Sequence, residues 1–317
     1  MSDQALIEVQ HLKKYFKTPH GLLHAVDDVS FEVKAGTTLG VVGESGCGKS
    51  TMGRSMIRLH EPTSGSVHFN GQDVLKLNKK EMKNMRAQMQ MIFQDPFASL
   101  NPRMTVMEQI AEPLIVQEKR RIKDKEVVEE VRRLMDLVGL APRLINAYPH
   151  ELDGGRRQRI GIAKALSVHP KFIVCDEPVS ALDVSIQAQI LNLLTDLQKQ
   201  LDLTYLFITH DLSVVKYISD EIIVMYLGQV VEKAHAHELF EQPMHPYTKA
   251  LLSAIPIPDP HRKMNRVQIE GEVTSPIDPP PGCRFCSRCP YADAKCKAGN
   301  IELKEVNHDH FVACVKC

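Results

Sequence analysis

This sequence of 317 residues lacks several features, and each absence excludes a class of protein. Lysine and arginine (39) balance aspartate and glutamate (39), so the net charge of zero argues against a broad basic surface for nucleic acid. No run approaches the roughly 18 apolar residues of a membrane-spanning helix. The first residues lack the basic and apolar segments of a secretory signal, and we therefore expect the chain in the cytoplasm. Internal repeats and low-complexity tracts are also absent.

Cysteine, in contrast, is present in excess at one end of the chain. Of eight cysteines, six lie in the last 35 residues, namely Cys283, Cys286, Cys289, Cys296, Cys314 and Cys317. In a reducing compartment such a cluster indicates metal binding before disulfides. The prolines that punctuate the chain after Pro243 predict a small, loop-rich lobe here, which needs an external constraint to fold. The other two cysteines, Cys47 and Cys175, are interpreted as small filler residues.

The remaining composition is ordinary, with 43% hydrophobic and 25% charged residues. Residues 6–9 and 29–33 alternate apolar with polar side chains, as half-buried strands do. Short apolar runs at 39–42, 172–175 and 205–208 predict buried strands. Helical patterns between and after these runs predict a largely parallel sheet covered on both faces. From about 108 to 138 the charges have helical spacing, which indicates a solvated helix face.

A phosphate-binding loop is the first motif with a specific chemistry. Its pattern G-x-x-x-x-G-K-[ST] is formed by Gly43, Glu44, Ser45, Gly46, Cys47, Gly48, Lys49, Ser50 and Thr51. Glycines let the backbone N–H groups surround a phosphate, and the helix that follows points its positive end at the anion. Lys49 is expected to reach the β- and γ-phosphates and Ser50 to bind Mg²⁺.

Two adjacent carboxylates, Asp176 and Glu177, end the apolar run at 172–175. A strand that stops there places both acids at the carboxyl edge of the sheet, where ligands bind in such folds. Asp176 is expected to hold Mg²⁺, directly or through water, and Glu177 is the candidate general base. The motif is weak alone, and its position about 130 residues after the phosphate-binding loop strengthens it.

With these motifs in order, the chain resembles the ATP-binding subunits of ABC transporters over about residues 4–240. Six motifs of that family have counterparts here. They are Walker A at residues 43–51, the Q-loop at Gln94, the signature at residues 152–156, Walker B at Asp176 and Glu177, the D-loop at residues 180–183 and the H-loop at His210. Residues 245–252 and 280–283 resemble the C-terminal extension of the oligopeptide and dipeptide importers.

The resemblance implies roles residue by residue. Gln94 would sense the γ-phosphate and Mg²⁺ and link the site to a membrane partner. His210 would contact the γ-phosphate and hold the attacking water. Asp183 would communicate across a dimer. For the aromatic ring that stacks on adenine, Phe16 is the first choice and Tyr15 the alternative.

The signature departs from the family pattern Leu-Ser-Gly-Gly-Gln. Asp153 replaces the serine and Arg156 the glutamine, around Gly154 and Gly155. In the family, the serine hydroxyl donates to the γ-phosphate held by the opposite subunit, whereas ionised aspartate only accepts. We favour a heterodimer with one degenerate ATP site, in which Arg156 offsets part of the aspartate charge. The alternative is a tolerated swap of helix N-caps with full activity.

The C-terminal cysteines also match a pattern of this importer branch. Cys283, Cys289, Cys296 and Cys314 correspond to four cysteines that carry an iron–sulfur cluster in some members. Cys286 and Cys317 are additional to this four-cysteine pattern, and either could bind the metal instead. His308 and His310 keep a zinc site open. A [4Fe–4S] cluster is our first expectation, Zn²⁺ the second, and free thiols or disulfides the last.

The predicted fold is α/β, a RecA-like P-loop NTPase core with three additions. These are an N-terminal antiparallel β lobe, an inserted helical lobe at about 95–165 and a small metal-binding C-terminal lobe. The ATPase domain would span 1–240 and the extension 241–317.

The resemblance implies ATP hydrolysis that powers import of di- or oligopeptides at the cytoplasmic face of the membrane. The expected partners are a second, non-identical ATPase subunit, two membrane-spanning subunits and an extracellular solute-binding protein, without nucleic acid. Import of nickel or another non-peptide solute is the alternative, followed by a soluble, non-transport ABC ATPase.

Overall fold

A computed structural model describes residues 5–255, 267, 269, 271 and 274–317. The strands of these residues are β1 (Ala5–Thr18), β2 (Gly21–Lys34), β3 (Thr38–Val42), β4 (Ser64–Phe69), β5 (Gln72–Asp73), β6 (Met89–Ile92), β7 (Phe172–Asp176), β8 (Thr204–Ile208), β9 (Glu221–Tyr226), β10 (Gln229–His235), β11 (Lys304–Asn307) and β12 (His310–Val312). The three short apolar runs are therefore strands, as predicted.

The helices are α1 (Lys49–Met56), α2 (Lys79–Gln88), α3 (Pro96–Ser99), α4 (Val106–Glu118), α5 (Lys125–Leu137), α6 (Gly154–Leu166), α7 (Val184–Leu201), α8 (Leu212–Ile218), α9 (Ala236–Glu241) and α10 (Pro246–Ser253). Within the described ranges, no helix combines the length and the apolar character needed to cross a membrane.

The chain divides into two compact units. The first unit contains residues 34–37 and 73–206, and the second contains residues 5–33, 38–72 and 207–317. The phosphate-binding loop and the C-terminal extension both lie in the second unit. The predicted domain boundary at residue 240 stays a prediction, and residues on both sides of it belong to this second unit.

The second unit begins with the antiparallel lobe that the sequence predicts. In it, β1 pairs antiparallel with β4, with Ile7 opposite Phe69 and Val9 opposite Val67. These four side chains are buried, so the alternating pattern places one face of the lobe against a core.

The second unit also contains strands of a mixed sheet, which corrects the prediction of a largely parallel sheet. β3 and β9 are parallel, but β9–β10, β10–β12 and β12–β11 are antiparallel pairs. The reason is local, because the short turn at Leu227 and Gly228 between β9 and β10 allows only a hairpin. The last two strands come from the C-terminal extension.

The core of the second unit contains residues from both sides of the predicted boundary at residue 240. Tyr226 of β9, Tyr247 of α10 and Phe285 are all nearly inaccessible, and their ring centroids lie 4.7 to 5.3 Å apart. Val224 and Leu239 belong to the same apolar cluster. Tyr247 and Phe285 therefore anchor the extension in this core, although its sequence suggests a loop-rich lobe.

The first unit pairs β6 with β7 in parallel and packs α4 against α5 and α6. α5 buries Val127, Val131 and Leu134 at helical spacing. The charged stretch predicted as helical from 108 to 138 is two helices, because Lys119 adopts the left-handed conformation (φ 55°) and ends α4. The predicted boundaries of a helical lobe at about 95–165 remain a prediction.

Candidate functional site

The phosphate-binding loop follows β3 and leads into α1. Gly48, the residue before α1, has φ 104°, and a Cβ atom there would lie 2.0 Å from the carbonyl oxygen of Ala25. Only glycine fits this position. The loop can therefore pass close to β2 and direct the amino end of α1 towards an anion.

Lys49 is directed into its own loop. Its side-chain ammonium donates to the carbonyl oxygens of Gly43 (2.7 Å) and Glu44 (2.9 Å), and the residue is 4% exposed. A cation held at the centre of such a loop can bind a phosphate. Cys47 is buried in the same loop, and burial raises the pKa of its thiol in spite of the nearby Lys49. This agrees with its interpretation as a filler residue and not a nucleophile.

The carboxylate pair lies in the first unit, at the end of β7. Asp176 is the last residue of that strand and is fully buried. Glu177 has a positive φ of 47°, which is rare for a residue with a side chain and common at functional sites. Gln94 donates from Nε2 to Oε2 of Glu177 at 3.0 Å. The structure thus brings together the predicted Q-loop residue and the predicted base.

The signature segment starts α6, and Asp153 is its N-cap. Oδ1 of Asp153 accepts the backbone N–H of Arg156 at 2.8 Å, and Oδ2 lies 3.3 Å from Nη1 of Arg156. The expected cap and the expected charge pairing are both present. Both side chains are about half exposed, at 58% and 47%, so the pair is available to a ligand.

The D-loop contacts the signature helix inside the first unit. Asp183 is the N-cap of α7 and accepts the backbone N–H of Ile186 at 3.0 Å. A Cβ atom on Gly155 would lie 2.7 Å from Cγ2 of Ile186, and one on Gly154 would lie 3.2 Å from Cδ2 of Leu182. The two glycines therefore allow the signature helix to approach the segment that carries Asp183.

His210 and the two aromatic candidates lie in the second unit. His210 is exposed and directly follows Thr209, whose backbone N–H donates to the carbonyl oxygen of Val41 in β3 at 3.1 Å. Tyr15 stacks on His24 with centroids 4.0 Å apart, and its hydroxyl donates to Asp27. Phe16 meets His60 edge-on, at 5.9 Å. Phe16 and Tyr15 are both half-buried, and the choice between them as the adenine contact remains open.

The C-terminal cysteines are grouped but not arranged as a metal site. The backbone N–H of Cys283 donates to the carbonyl oxygen of Cys296 at 2.8 Å. Burial, with a contribution from the thiols of Cys296, Cys286 and Cys289, raises the pKa of Cys283 to about 11. Over the described part of the chain, no three histidine, cysteine, aspartate or glutamate side chains are placed to hold one metal ion.

His308 and His310 do not join the cysteines in a zinc site. His308 is exposed and lies 3.0 Å from Asp309. His310 is fully buried between Glu232, at 2.7 Å, and Glu238, at 3.1 Å. Its ring connects β12 with β10 and α9, which is a structural role.

The extension also supplies contacts that sequence reasoning missed. The backbone N–H of Glu44 donates to the hydroxyl of Tyr247 at 2.9 Å, and Nη1 of Arg288 lies 3.0 Å from the Glu44 carboxylate. Tyr247 belongs to the importer-type motif at 245–252, and Arg288 lies between Cys286 and Cys289. Both motifs were visible in the sequence, but nothing local indicated that they meet the phosphate-binding loop.

Comparison with known proteins gives two family matches. The ABC transporter family matches residues 26–180, and the C-terminal region of oligopeptide and dipeptide transporters matches residues 231–296.

Among relatives, the oligopeptide transport ATP-binding protein OppF of Bacillus subtilis is 53% identical over 314 residues, covering 99% of this chain and 97% of OppF. The oligopeptide transport ATP-binding protein AppF of Bacillus subtilis is 50% identical over 323 residues, covering 99% of this chain and 98% of AppF.

Among solved structures, the ATP-binding cassette MJ0796, as a post-hydrolysis dimer bound to ADP and Pi, is similar with a TM-score of 0.67 and 28% identity. The structural alignment covers 73% of this chain and 98% of the MJ0796 chain. The family matches and the similarity to solved structures both agree with the nucleotide-binding motifs described above. The chain therefore belongs to the ATP-binding proteins of ABC transporters, in their oligopeptide and dipeptide transport branch, and is an ABC-type ATPase.

Proposed function

We propose that this chain is the ATP-hydrolysing subunit that powers import of di- and oligopeptides through a membrane ABC transporter. The phosphate-binding loop carries the proposal, because Lys49 directs its ammonium towards the loop carbonyls of Gly43 and Glu44 at 2.7 and 2.9 Å. The peptide cargo is supported by the relatives OppF and AppF, which are named for oligopeptide transport.

The proposed chemistry assigns one task to each residue. Lys49 and the loop amides bind the β- and γ-phosphates of ATP, and Glu177 polarises the attacking water. The hydrogen bond from Gln94 to Glu177 (3.0 Å) orients that carboxylate. His210 contacts the γ-phosphate, and Phe16, or Tyr15 in its place, stacks on adenine.

Magnesium fits the oxygen donors that the proposal gives it. Asp176 offers a buried carboxylate, Ser50 a hydroxyl and Gln94 an amide oxygen. When bound, Mg²⁺ neutralises charge on the β- and γ-phosphates. These three side chains are assigned to hold it.

The transporter is proposed to be asymmetric. A second, non-identical ATPase subunit completes two unequal ATP sites with this chain. One uses Lys49, Asp176 and Glu177 and hydrolyses ATP, whereas the other uses Asp153 and turns over poorly. Asp183 communicates between them. Two membrane-spanning subunits and an extracellular solute-binding protein complete the assembly, with this chain bound peripherally at the cytoplasmic face.

The C-terminal cysteines are proposed to hold a metal, with a [4Fe–4S] cluster first and Zn²⁺ second. The concentration of thiols supports this, although Cys283, Cys289, Cys296 and Cys314 do not converge on one point in the described residues. We therefore assign the metal no step in the reaction. Anaerobic purification, an absorption spectrum near 400 nm and an iron-to-zinc assay test it; colourless protein with one zinc would exclude the cluster.

The transport proposal is tested on the assembled complex. This chain, carrying an affinity tag, is purified with its membrane subunits, reconstituted in liposomes and assayed for ATPase activity against a panel of peptides. Peptides should stimulate the wild type, and Glu177→Gln should lower turnover by about 100-fold or more. Glu130→Gln, which changes a partly buried carboxylate paired with Arg133 on α5, is the control.

Two outcomes would replace the proposal. Stimulation by nickel or another non-peptide solute, with no response to peptides, would support the alternative cargo. Purification without any membrane subunit would support a soluble, non-transport ATPase. If Glu177→Gln leaves most of the activity in the assembled transporter, the assignment of Glu177 and the active site is wrong.

A further inference from the structure

An arginine of the cysteine-rich segment contacts the phosphate-binding loop directly. Nη1 of Arg288 donates to both carboxylate oxygens of Glu44, at 3.1 and 3.0 Å, and lies 3.3 Å from the hydroxyl of Tyr226. Glu44 is the second residue of the loop. Its backbone N–H donates to Tyr247 of α10 at 2.9 Å, so the extension holds both its main chain and its side chain.

The position of Arg288 is costly for a residue with only a structural role. Its side chain is 11% exposed, and its Nε atom is buried without a hydrogen-bond partner among the described residues. An unsatisfied buried N–H destabilises the folded state, and an apolar side chain would fill the same space without that cost. The guanidinium therefore needs an explanation other than stability.

A second arginine of the same segment, Arg284, contacts residues that lie next to the loop. Arg284 donates to the carbonyl oxygen of Leu227 and to the carboxylate of Asp27, and its side chain is 5% exposed. Gly228, which follows Leu227 in the chain, donates its backbone N–H to the carbonyl oxygen of Cys47 in the loop at 2.8 Å. Arg288 thus contacts the loop directly, whereas Arg284 reaches it only through the turn that contains Leu227 and Gly228.

The charge of Glu44 gives Arg288 its task. A carboxylate in a loop that binds phosphates repels a nucleotide, and Coulomb repulsion at partly buried positions is large enough to change affinity severalfold. The ion pair with Arg288 offsets this charge and holds the carboxylate in one place. Rotation of Glu44 towards the phosphates would break two hydrogen bonds.

We propose that Arg288 is a positioning residue of the nucleotide site, which neutralises Glu44 and holds it away from the phosphates. The inference rests on the proposed function only in that the loop must bind a nucleotide. It makes the C-terminal extension part of the nucleotide-binding machinery, although none of its residues belongs to a nucleotide-binding motif.

The test measures binding of Mg·ADP to the full-length chain by calorimetry. Arg288→Gln should weaken binding by about three- to tenfold. Arg288→Lys, which keeps the charge, should recover most of that loss. In the double variant Glu44→Gln with Arg288→Gln, affinity should return to within about twofold of the wild type, because the repelling charge is also gone. Arg133→Gln, which breaks an exposed pair with Glu130, is the matched control and should bind as the wild type does.

The double variant separates charge from packing. If it binds as weakly as Arg288→Gln alone, or if Arg288→Gln binds like the wild type, the inference is overturned while nucleotide binding by the wild type stands. If the wild type itself does not bind Mg·ADP, both the proposed function and this inference fail. Should Arg288→Gln not fold, Glu44→Gln alone decides: binding tighter than in the wild type supports the inference, and unchanged binding overturns it.

Discussion

Asp153 stands where the resemblance to ABC transporter subunits leads us to expect serine, and its neighbours explain how the fold accepts it. It keeps the N-cap of α6 by accepting the backbone N–H of Arg156 at 2.8 Å. Serine and aspartate are both good N-caps, so the helix begins in the same place with either. The substitution therefore changes the charge presented to a ligand and leaves the local backbone as it is.

This separation of roles predicts the effect of Asp153→Ser. Serine keeps the N-cap, so the free energy of unfolding should change by less than about 0.5 kcal/mol. Turnover of the assembled transporter should rise about twofold or more, because the site that we propose to be degenerate regains a hydroxyl donor. Steady-state ATPase activity per transporter measures it. Asp73→Ser, which alters another capping aspartate that accepts the backbone N–H of Leu75, is the control and should leave turnover unchanged. Unchanged turnover in Asp153→Ser would instead favour a tolerated cap swap with full activity.

His245 is a second residue whose surroundings define a measurable property. It caps α10 by accepting the backbone N–H of Tyr247 at 3.1 Å, and its own backbone N–H donates to Glu232. Burial, with a smaller effect of the positive charge of Lys249, lowers its pKa from 6.5 to about 4. The ring is therefore neutral in the folded protein at neutral pH.

The lowered pKa of His245 predicts a loss of stability in mild acid. Between pH 6.5 and about 4 the unfolded chain protonates this histidine and the folded chain does not, so the free energy of unfolding falls as pH falls. The contribution is at most roughly 3 kcal/mol. His245→Asn replaces the capping ring nitrogen Nδ1 with an amide oxygen and removes the titration. Thermal melts of this variant should therefore lose less stability than those of the wild type over that window. His237→Asn, which changes an exposed histidine, should keep the slope of the wild type; equal slopes in all three proteins would contradict the assignment.

At the scale of elements, the contact between α6 and α7 joins the signature segment to the D-loop. Gly155 lies in the first turn of α6, and Ile186 lies in the first turn of α7, beside the cap made by Asp183. The 2.7 Å distance from a Cβ at residue 155 to Ile186 is shorter than real Cβ contacts, so a side chain here pushes the helices apart.

Substitution of two glycines of α6 by alanine should therefore have opposite effects on the stability of the protein. Gly155→Ala should destabilise the protein by about 1–3 kcal/mol through overpacking against Ile186. Gly161→Ala, where a Cβ would meet no atom within 4 Å, should stabilise it by up to about 1 kcal/mol through helix propensity. Denaturation midpoints of the two variants measure the difference. If both substitutions stabilise the protein alike, α6 and α7 are not in contact at Gly155.

The elements also show which parts of the fold the sequence can predict. The sequence predicts β3 and β7 because each contains four apolar residues in a row, which is a local signal. It predicts the phosphate-binding loop because the glycines and Lys49 of that motif lie close together in the chain. β11 gave no signal, since all four of its residues are exposed. The contact between Arg288 and Glu44 joins residues 244 positions apart, and no local pattern contains such information.

Across the whole molecule, the C-terminal extension is fixed to the rest of the second unit by more than the apolar core that they share. His310 of β12 is fully buried and lies 2.7 Å from Glu232 of β10, a carboxylate that is also fully buried. Glu232 accepts in addition the backbone N–H groups of Met244 and His245, at 2.7 and 3.0 Å. One buried carboxylate thus connects β10, β12 and the start of α10.

Loss of His310 should therefore weaken the extension as a whole. His310→Ala removes one partner of a buried carboxylate and leaves a cavity, so the free energy of unfolding should fall by about 2–5 kcal/mol. Hydrogen exchange should accelerate first in β11 and β12, because these strands depend most directly on this contact. Since the same extension carries Arg288 to the phosphate-binding loop, affinity for Mg·ADP should fall together with that protection. His237→Ala, a change at an exposed position of α9, should alter none of the three measurements. Unchanged exchange in β11 and β12 of His310→Ala would mean that the apolar core alone holds the extension in place.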